Sequence, residues 1–324
     1  MPHNITVTYH ATDEEKSVIY DILAGENLFF LQDVKDIKEK QKILLETDIL
    51  LSWNPTLELK DIEINVLQNL QFVQLLSAGY DHLNFNYFSK KTIIASNQGA
   101  YAKPMAEHAL AMILALAKKL TKYHNLLSKG IFDQLNSVTR YIHGSNLGII
   151  GYGSIGKETA KLMQPFDVNV YAINTSGKTD DDVAFIGTLQ DLDIVLKNSD
   201  ILLISIPLNK ETQALIGKRE LELMKSDAIL INVARGDIII EKDLYEHMRT
   251  HPEFSAGIDA WWIEPFKYGK FEIHYPFFEL TNFIGSPHNS SVVPNSLIDG
   301  AKQAAINVKR FINKEAIKGL IKTN

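Results

Sequence analysis

Asn146-Leu147-Gly148-Ile149-Ile150-Gly151-Tyr152-Gly153-Ser154-Ile155-Gly156 decides the fold. An apolar run ends in Gly-x-Gly-x-x-Gly, and a helix-period pattern runs on from Ile155 to Met163. Strand, tight turn and helix in that order form a dinucleotide-binding turn. Gly151 permits the turn, Gly153 lets backbone approach a pyrophosphate, and Gly156 lets helix and strand pack closely. The helix N-terminus supplies N–H donors and partial positive charge. A glycine-rich connection without a ligand is the alternative.

Outward from this turn, apolar runs alternate with charged helix-period segments. That is the pattern of parallel sheets covered by helices on both faces, an α/β fold of two doubly wound lobes. Strands are expected at Ile5–Tyr9, near Leu28–Leu31, and at Ile49–Trp53, Phe72–Leu76 and Ile93–Ser96. In the second lobe they are expected at Asn146–Ile150, Val168–Ile173, Ile201–Ile206, Ala228–Val233, Ala256–Ala260 and Phe283–Gly285. Asp13–Leu23 reads as an amphipathic helix with Asp13 near its cap. Met105–Tyr123 reads as one long Ala- and Leu-rich helix, packed either between domains or subunits, or inside one domain's core. Val292–Ile312 reads as a further helix.

The chain has 324 residues, room for two domains, and 45 % apolar residues, enough for large cores. With 33 basic and 39 acidic residues, a net charge of −6 and no basic stripe, nucleic acid is a poor partner. The absence of cysteine excludes disulfides, thiolate metal sites and cysteine nucleophiles, and no metal set is read elsewhere. The N-terminus has no secretory pattern. The apolar stretch Ala109–Ala117 is far shorter than the ~20 residues a membrane span needs. A cytoplasmic setting is the expectation.

Past the glycine turn the chain has Asn174-Thr175-Ser176-Gly177-Lys178, where NAD sites usually carry an acid. Asn174, Thr175, Ser176 and Lys178 could bind a 2′-phosphate, although Asp180, Asp181 and Asp182 could fold back on Lys178. NADP is favoured, with a tolerant NAD site as the alternative. Three further phrases end apolar runs: Asn232-Val233-Ala234-Arg235-Gly236, Trp262-Ile263-Glu264-Pro265 and Ser286-Pro287-His288-Asn289. In open α/β sheets ligands bind beyond the carboxyl ends of the strands. Arg235, Glu264 and His288 all belong to that edge. A guanidinium can grip a carboxylate in two places, an imidazole can move a proton near neutrality, and a carboxylate can fix its tautomer. Singly, each could be a surface ion pair, a loop carboxylate or a helix cap. Occurring together they point to a 2-oxo acid as substrate.

The chain resembles the D-isomer-specific 2-hydroxyacid dehydrogenase family. The likeness is carried by Ala106-Glu107-His108-Ala109-Leu110, Gly151–Gly156, Ile206-Pro207-Leu208, Glu211-Thr212, Leu223-Met224-Lys225, Ile231–Gly236, Gly257-Ile258-Asp259-Ala260, Glu264-Pro265 and Ser286-Pro287-His288. It implies a catalytic set of Arg235, Glu264 and His288, with hydride passing between NAD(P)H and a 2-oxo acid or its (R)-2-hydroxy acid. It implies that Ser154 and Ile155 meet the pyrophosphate. Ile206 and Pro207 fall on the adenosine side with Thr212 in the cofactor set, Val233 and Ala234 on the nicotinamide half, and Asp259 on the carboxamide. Ser77-Ala78-Gly79-Tyr80-Asp81 resembles the family's substrate loop, with the N–H groups of Ala78 and Gly79 on the substrate carboxylate. The alternative for that loop is a simple turn.

The resemblance further implies a substrate domain of residues 1–99 and 289–324, a Rossmann domain of residues 100–288, a cleft between them, and a homodimer. Trp261-Trp262 departs from the smaller text often found before the glutamate. With Trp53-Asn54-Pro55 it suggests an apolar or aromatic substrate tail, or else core and dimer contacts. Glyoxylate or hydroxypyruvate reduction, and a non-catalytic nucleotide-sensing corepressor, are the competing expectations. The lack of a C-terminal regulatory extension disfavours the longer serine-pathway members.

Overall fold

A computed structural model describes residues 2–59, 67 and 69–321, with Phe266 through its backbone only. The chain forms two compact units, Met1–Tyr101 with Val293–Asn324, and Ala102–Val292. Each is a parallel-sheet α/β lobe.

The first unit carries five strands: β1 (Asn4–Val7), β2 (Asn27–Phe30), β3 (Ile49–Ser52), β4 (Phe72–Leu75) and β5 (Ile93–Ala95). They pair in parallel in the order β2-β1-β3-β4-β5, the flavodoxin-like order. Both β3 and β4 are buried at every residue, as expected where helices cover both faces. The helix Asp13–Ile22 is capped by Thr12, with Asp13 next to the cap as its first residue. The Thr12 hydroxyl accepts from the Glu15 N–H, and the Glu15 carboxylate accepts from the Thr12 N–H. The helix Ser296–Ile312 lies against Asp13–Ile22 and β4. Its buried Ala301, Ala304, Ala305 and Val308 give it a small-residue face for close approach.

The second unit carries seven strands: β6 (Asn146–Ile150), β7 (Asn169–Ile173), β8 (Phe185–Gly187), β9 (Ile201–Ile204), β10 (Ile229–Asn232), β11 (Ser255–Ile258) and β12 (Phe283–Gly285). Their order is β12-β11-β10-β9-β6-β7-β8, all parallel, the doubly wound arrangement of nucleotide-binding lobes. The sequence pattern did not show β8, an edge strand of three residues. The expected helix Met105–Tyr123 is instead two, Ala102–Ala117 and Leu120–Ser128. They part at Lys119, whose φ of 49° cannot continue a right-handed helix. The first of them packs inside this unit, on the helix Ser154–Met163 and on β10 and β11. Its buried Ala106, Ala109, Met112, Ile113 and Leu116 account for its apolar composition. Among the described residues no helix is long and apolar enough to cross a membrane.

Near the end of the helix Glu241–Thr250, His247 is buried against Phe254 and stacked on His251, ring centroids 4.2 Å apart. Its Nε2 has no hydrogen-bond partner among the described residues. Burial first, and the neighbouring His251 second, push the imidazole down to about 4 from 6.5. The neutral ring is therefore the folded form. Its contribution to stability is complete above about pH 6.5 and is lost as pH falls towards 4. Thermal melts between pH 7 and 4 should show a steeper loss of Tm in the wild type than in His247→Phe. Parallel curves would assign the acid sensitivity to other groups.

Candidate active site

At the end of β6, Gly151 has a φ of 101°, and a Cβ there would stand 2.7 Å from the backbone nitrogen of Ile206. At Gly156 a Cβ would stand 2.7 Å from the Gly151 carbonyl oxygen. The turn and the helix packing thus require both glycines. Gly153 differs: it is exposed, and a Cβ there would meet nothing within 4 Å. That open space faces the start of the helix Ser154–Met163, where no side chain caps the first N–H groups. Ser154 and Ile155 open that helix and are half-buried. The feature fits a phosphate cradle.

The segment after β7 corrects one expectation. The Asn174 amide is spent on its own turn, Oδ1 accepting from the N–H groups of Ser176 (3.0 Å) and Gly177 (2.7 Å), and Nδ2 donating to the Lys178 carbonyl. The Ser176 hydroxyl donates into the same turn. Thr175 and Lys178 are exposed, and Lys178 forms no ion pair among the described residues. Of the three acids that could fold back on it, Asp181 pairs with Lys157 instead at 2.7 Å. That lysine first, and Thr179 next, hold the Asp181 carboxyl below its usual range. Burial, reinforced by Asp181, pushes the Tyr152 hydroxyl up to about 12.

Beyond β9, Ile206 is half-buried and Pro207 exposed. Thr212 is placed otherwise than expected. It is 1 % exposed, donates to the Pro207 carbonyl and accepts from the Asn209 N–H, so it shapes this loop from inside. The Val233 side chain is likewise fully buried, which leaves only its backbone for any ligand, while Ala234 is half-buried.

Strands β10, β11 and β12 are neighbours, with Asn232 opposite Ile258 and Ile258 opposite Gly285. Arg235, Glu264 and His288 leave the sheet just past that row. The buried Asn232 braces the first turn, donating to the Arg235 carbonyl (2.8 Å) and accepting from the Ala234 N–H (3.0 Å). Arg235 Nη1 donates to the Ala234 carbonyl. Gly236 packs so closely on the next loop that a Cβ would overlap backbone atoms of Trp261 and Trp262. Glu264 accepts from the Trp261 N–H with one oxygen, and with the other pairs with His288 Nδ1 at 2.8 Å. His288 is 34 % exposed, and its Nε2 has no protein partner among the described residues.

Both indoles are core, not site lining. Trp261 and Trp262 are buried, donating to the Ser286 and Ile239 carbonyls and packing among Phe271, Phe277, Phe278 and Phe283. Of the three expected tryptophans, Trp53 alone is half-buried, stacked on Tyr101 in the first unit.

Asp259 is 0 % exposed, and its backbone carbonyl accepts from the His288 N–H. Its Oδ1 accepts from Ser286 Oγ (2.5 Å) and the Asn289 N–H, and its Oδ2 from the Ser290 N–H at 3.2 Å. Ser290 Oγ is buried and has no hydrogen-bond partner among the described residues. Oδ2 has a single donor among the described residues and so keeps acceptor capacity. Ser286, Asn289 and His108 were quoted from the sequence only inside motifs, without a role, and Ser290 was not named. The pairing of Ile258 with Gly285 is the signal that brings Asp259 and Ser286 side by side. In the first unit, the loop after β4 contains Ala78 and Gly79, both half-buried. Their N–H groups have no protein acceptor among the described residues, while the Ser77 hydroxyl donates to the Gly79 carbonyl.

Residues 110–290 match the model of the D-isomer specific 2-hydroxyacid dehydrogenase NAD binding domain, more than half of the chain. The chain belongs to this family. The dehydrogenase is 28 % identical to a hydroxypyruvate reductase of Thermotoga maritima over 94 % of this chain and 97 % of that one. It is 27 % identical to a glyoxylate reductase of Thermococcus litoralis over 82 % of each. Its fold matches a putative formate dehydrogenase from Pyrobaculum aerophilum with a TM-score of 0.80, at 20 % identity, over 99 % of this chain and 98 % of that one. It is thus an NAD(P)-dependent oxidoreductase acting on 2-hydroxy acids or their 2-oxo counterparts. Gly236→Ala should cost this dehydrogenase about 1–3 kcal/mol of stability through overpacking and lower kcat/KM at least about tenfold. The Cβ has backbone on the far side and can move only by shifting Arg235 or the Glu264 loop. Urea titration and steady-state kinetics check this; wild-type behaviour would mean that the two loops are not coupled.

Proposed function

We propose that this dehydrogenase reversibly reduces a 2-oxo acid to the (R)-2-hydroxy acid, with His288 as acid and base. The carrying observation is the 2.8 Å Glu264–His288 pair, which leaves Nε2 without a protein partner. Nδ1 faces an ionised acceptor, so it carries a proton, and Nε2 is the nitrogen that exchanges one with substrate oxygen. Glu264 stabilises the imidazolium, and Arg235 binds the substrate carboxylate and polarises the carbonyl. In the first unit, the N–H groups of Ala78 and Gly79, without a protein acceptor among the described residues, are of a kind that suits a carboxylate. The dinucleotide, when bound, supplies or takes up the hydride. Gly151, Gly153 and Gly156 with Ser154 and Ile155 would hold its pyrophosphate, Ile206 and Pro207 its adenosine side, Ala234 and the Val233 backbone its nicotinamide half, and Asp259 with Ser290 its carboxamide.

NADP is the preferred cofactor in this reading, supported by the missing acid at Asn174 and by the unpaired, exposed Lys178 with Thr175 beside it. The substrate is read as a small 2-oxo acid of the glyoxylate–hydroxypyruvate kind. Removing Trp261 and Trp262 from the site takes away most of the case for an apolar tail, and leaves it to Trp53. The relatives named above act on small acids by their names. The protein is proposed to work as a homodimer in the cytoplasm. Its apolar surface lies along residues 120–141, where Phe132, Leu135 and Val138 are exposed, Leu135 at 91 %.

Oxidation of NADPH and NADH with a panel of 2-oxo acids, followed at the absorbance of the reduced cofactor, tests the proposal. His288→Ala should lower kcat by about 10²–10⁴, and Arg235→Ala should fall chiefly in kcat/KM. Turnover by His288→Ala at the wild-type rate would remove the imidazole from the mechanism. Asn174→Asp should move the kcat/KM ratio towards NADH. An unchanged ratio would refute the 2′-phosphate assignment.

A further inference from the structure

A second imidazole stands behind His288. His108, in the second turn of the helix Ala102–Ala117, places Nε2 2.9 Å from Ser286 Oγ and 3.7 Å from Asp259 Oδ1. Hydrogen-bond inventory fixes the direction of this contact. The Ser286 hydroxyl has one proton, and at 2.5 Å from Oδ1 that proton goes to the carboxylate, which only accepts. Ser286 Oγ therefore accepts from His108, and Nε2 of His108 is a donor. Beyond Asp259 the chain of bonds continues into the His288 loop, through the N–H groups of His288, Asn289 and Ser290.

That loop needs holding. His288 has a φ of 49°, the left-handed region that a residue with a Cβ occupies at a cost of roughly 1–2 kcal/mol. Three main-chain donors in a row end on one residue, and the orientation of that residue's carboxylate depends on Ser286. Ser286 in turn has its remaining oxygen capacity directed by His108.

We propose that His108 is a positioning residue for His288, acting through Ser286 and Asp259. The proposal rests on His288 being the acid–base group. The required chemistry at position 108 is a donor at the Nε2 position; an imidazole as such is not needed. Glutamine supplies a comparable N–H donor, and phenylalanine supplies only the volume.

The test is hydrogen exchange of the peptide covering 286–292 in the protein without added ligand, with strand β6 as internal control, for His108→Phe, His108→Gln, Ser286→Ala and the His108→Phe/Ser286→Ala double variant. Exchange at 286–292 should rise about fivefold or more in His108→Phe and in Ser286→Ala, and stay near wild type in His108→Gln, with β6 unchanged. The double variant should exchange no faster than the more affected single one, because both changes cut the same chain of bonds. With the 2-oxo acid found in the assay above, kcat of His108→Phe should fall about tenfold with KM within about twofold. Unchanged exchange in His108→Phe and Ser286→Ala, equal effects of Gln and Phe, or additive effects in the double variant would each overturn the proposal. Altered exchange in a protein that reduces no 2-oxo acid would uphold the His108 linkage and refute the functional reading instead.

Discussion

The site depends on one row of backbone pairing. Asn232, Ile258 and Gly285 stand abreast on three adjacent parallel strands, so the chain leaves the sheet three times at one level. A guanidinium, a carboxylate and an imidazole follow within six residues of that row. A slip of one residue in β11 or β12 would turn its buried faces outward and separate Glu264 from His288. In β10 and β11, covered at every residue, the apolar runs hold this register, whereas in β12 only Phe283 is buried. The contact of Gly236 with the Trp261–Trp262 backbone then locks the turns to each other above the sheet. Chemistry at this edge is a consequence of strand register more than of any local loop preference.

Much of this was legible because it is periodic. Runs such as Ile229–Asn232 and Ile201–Ile204 are short, apolar and bounded by turns. The glycine turn has a strand before it and a helix after it. The features that were not legible are tertiary. Nothing local in Leu116-Ala117-Lys118-Lys119-Leu120 announces a residue at positive φ, so the helix appeared continuous. Strand β8 has three residues, too few for a pattern. Asn174 looked like a ligand donor because its type suits one, but the following Ser176 and Gly177 N–H groups claim its carbonyl oxygen first. Polar residues that can satisfy their own turn do so unless the fold prevents it.

The two indoles are the most instructive case. Large aromatic side chains just before Glu264 invite a specificity role, and composition alone cannot oppose it. The fold opposes it, because each indole N–H must find an acceptor when buried. Trp261 finds the Ser286 carbonyl and Trp262 the Ile239 carbonyl. These bonds tie the glutamate loop to the segments before His288 and after Arg235. The tryptophans support the ionisable groups from the core side and leave the substrate's size to other residues.

Two histidine–carboxylate contacts therefore lie past the end of β11, with opposite relations to solvent. Glu264 and His288 are both partly accessible, whereas Asp259 is sealed and His108 only a quarter exposed. A sealed carboxylate is costly unless every lone pair in use has a donor. Asp259 meets that demand almost wholly with main-chain N–H groups of the His288 loop and one serine, so the groups that keep it tolerable are the groups it holds in place. Among the described residues Asp259 Oδ2 has one donor, the Ser290 N–H, and the buried Ser290 hydroxyl has no partner.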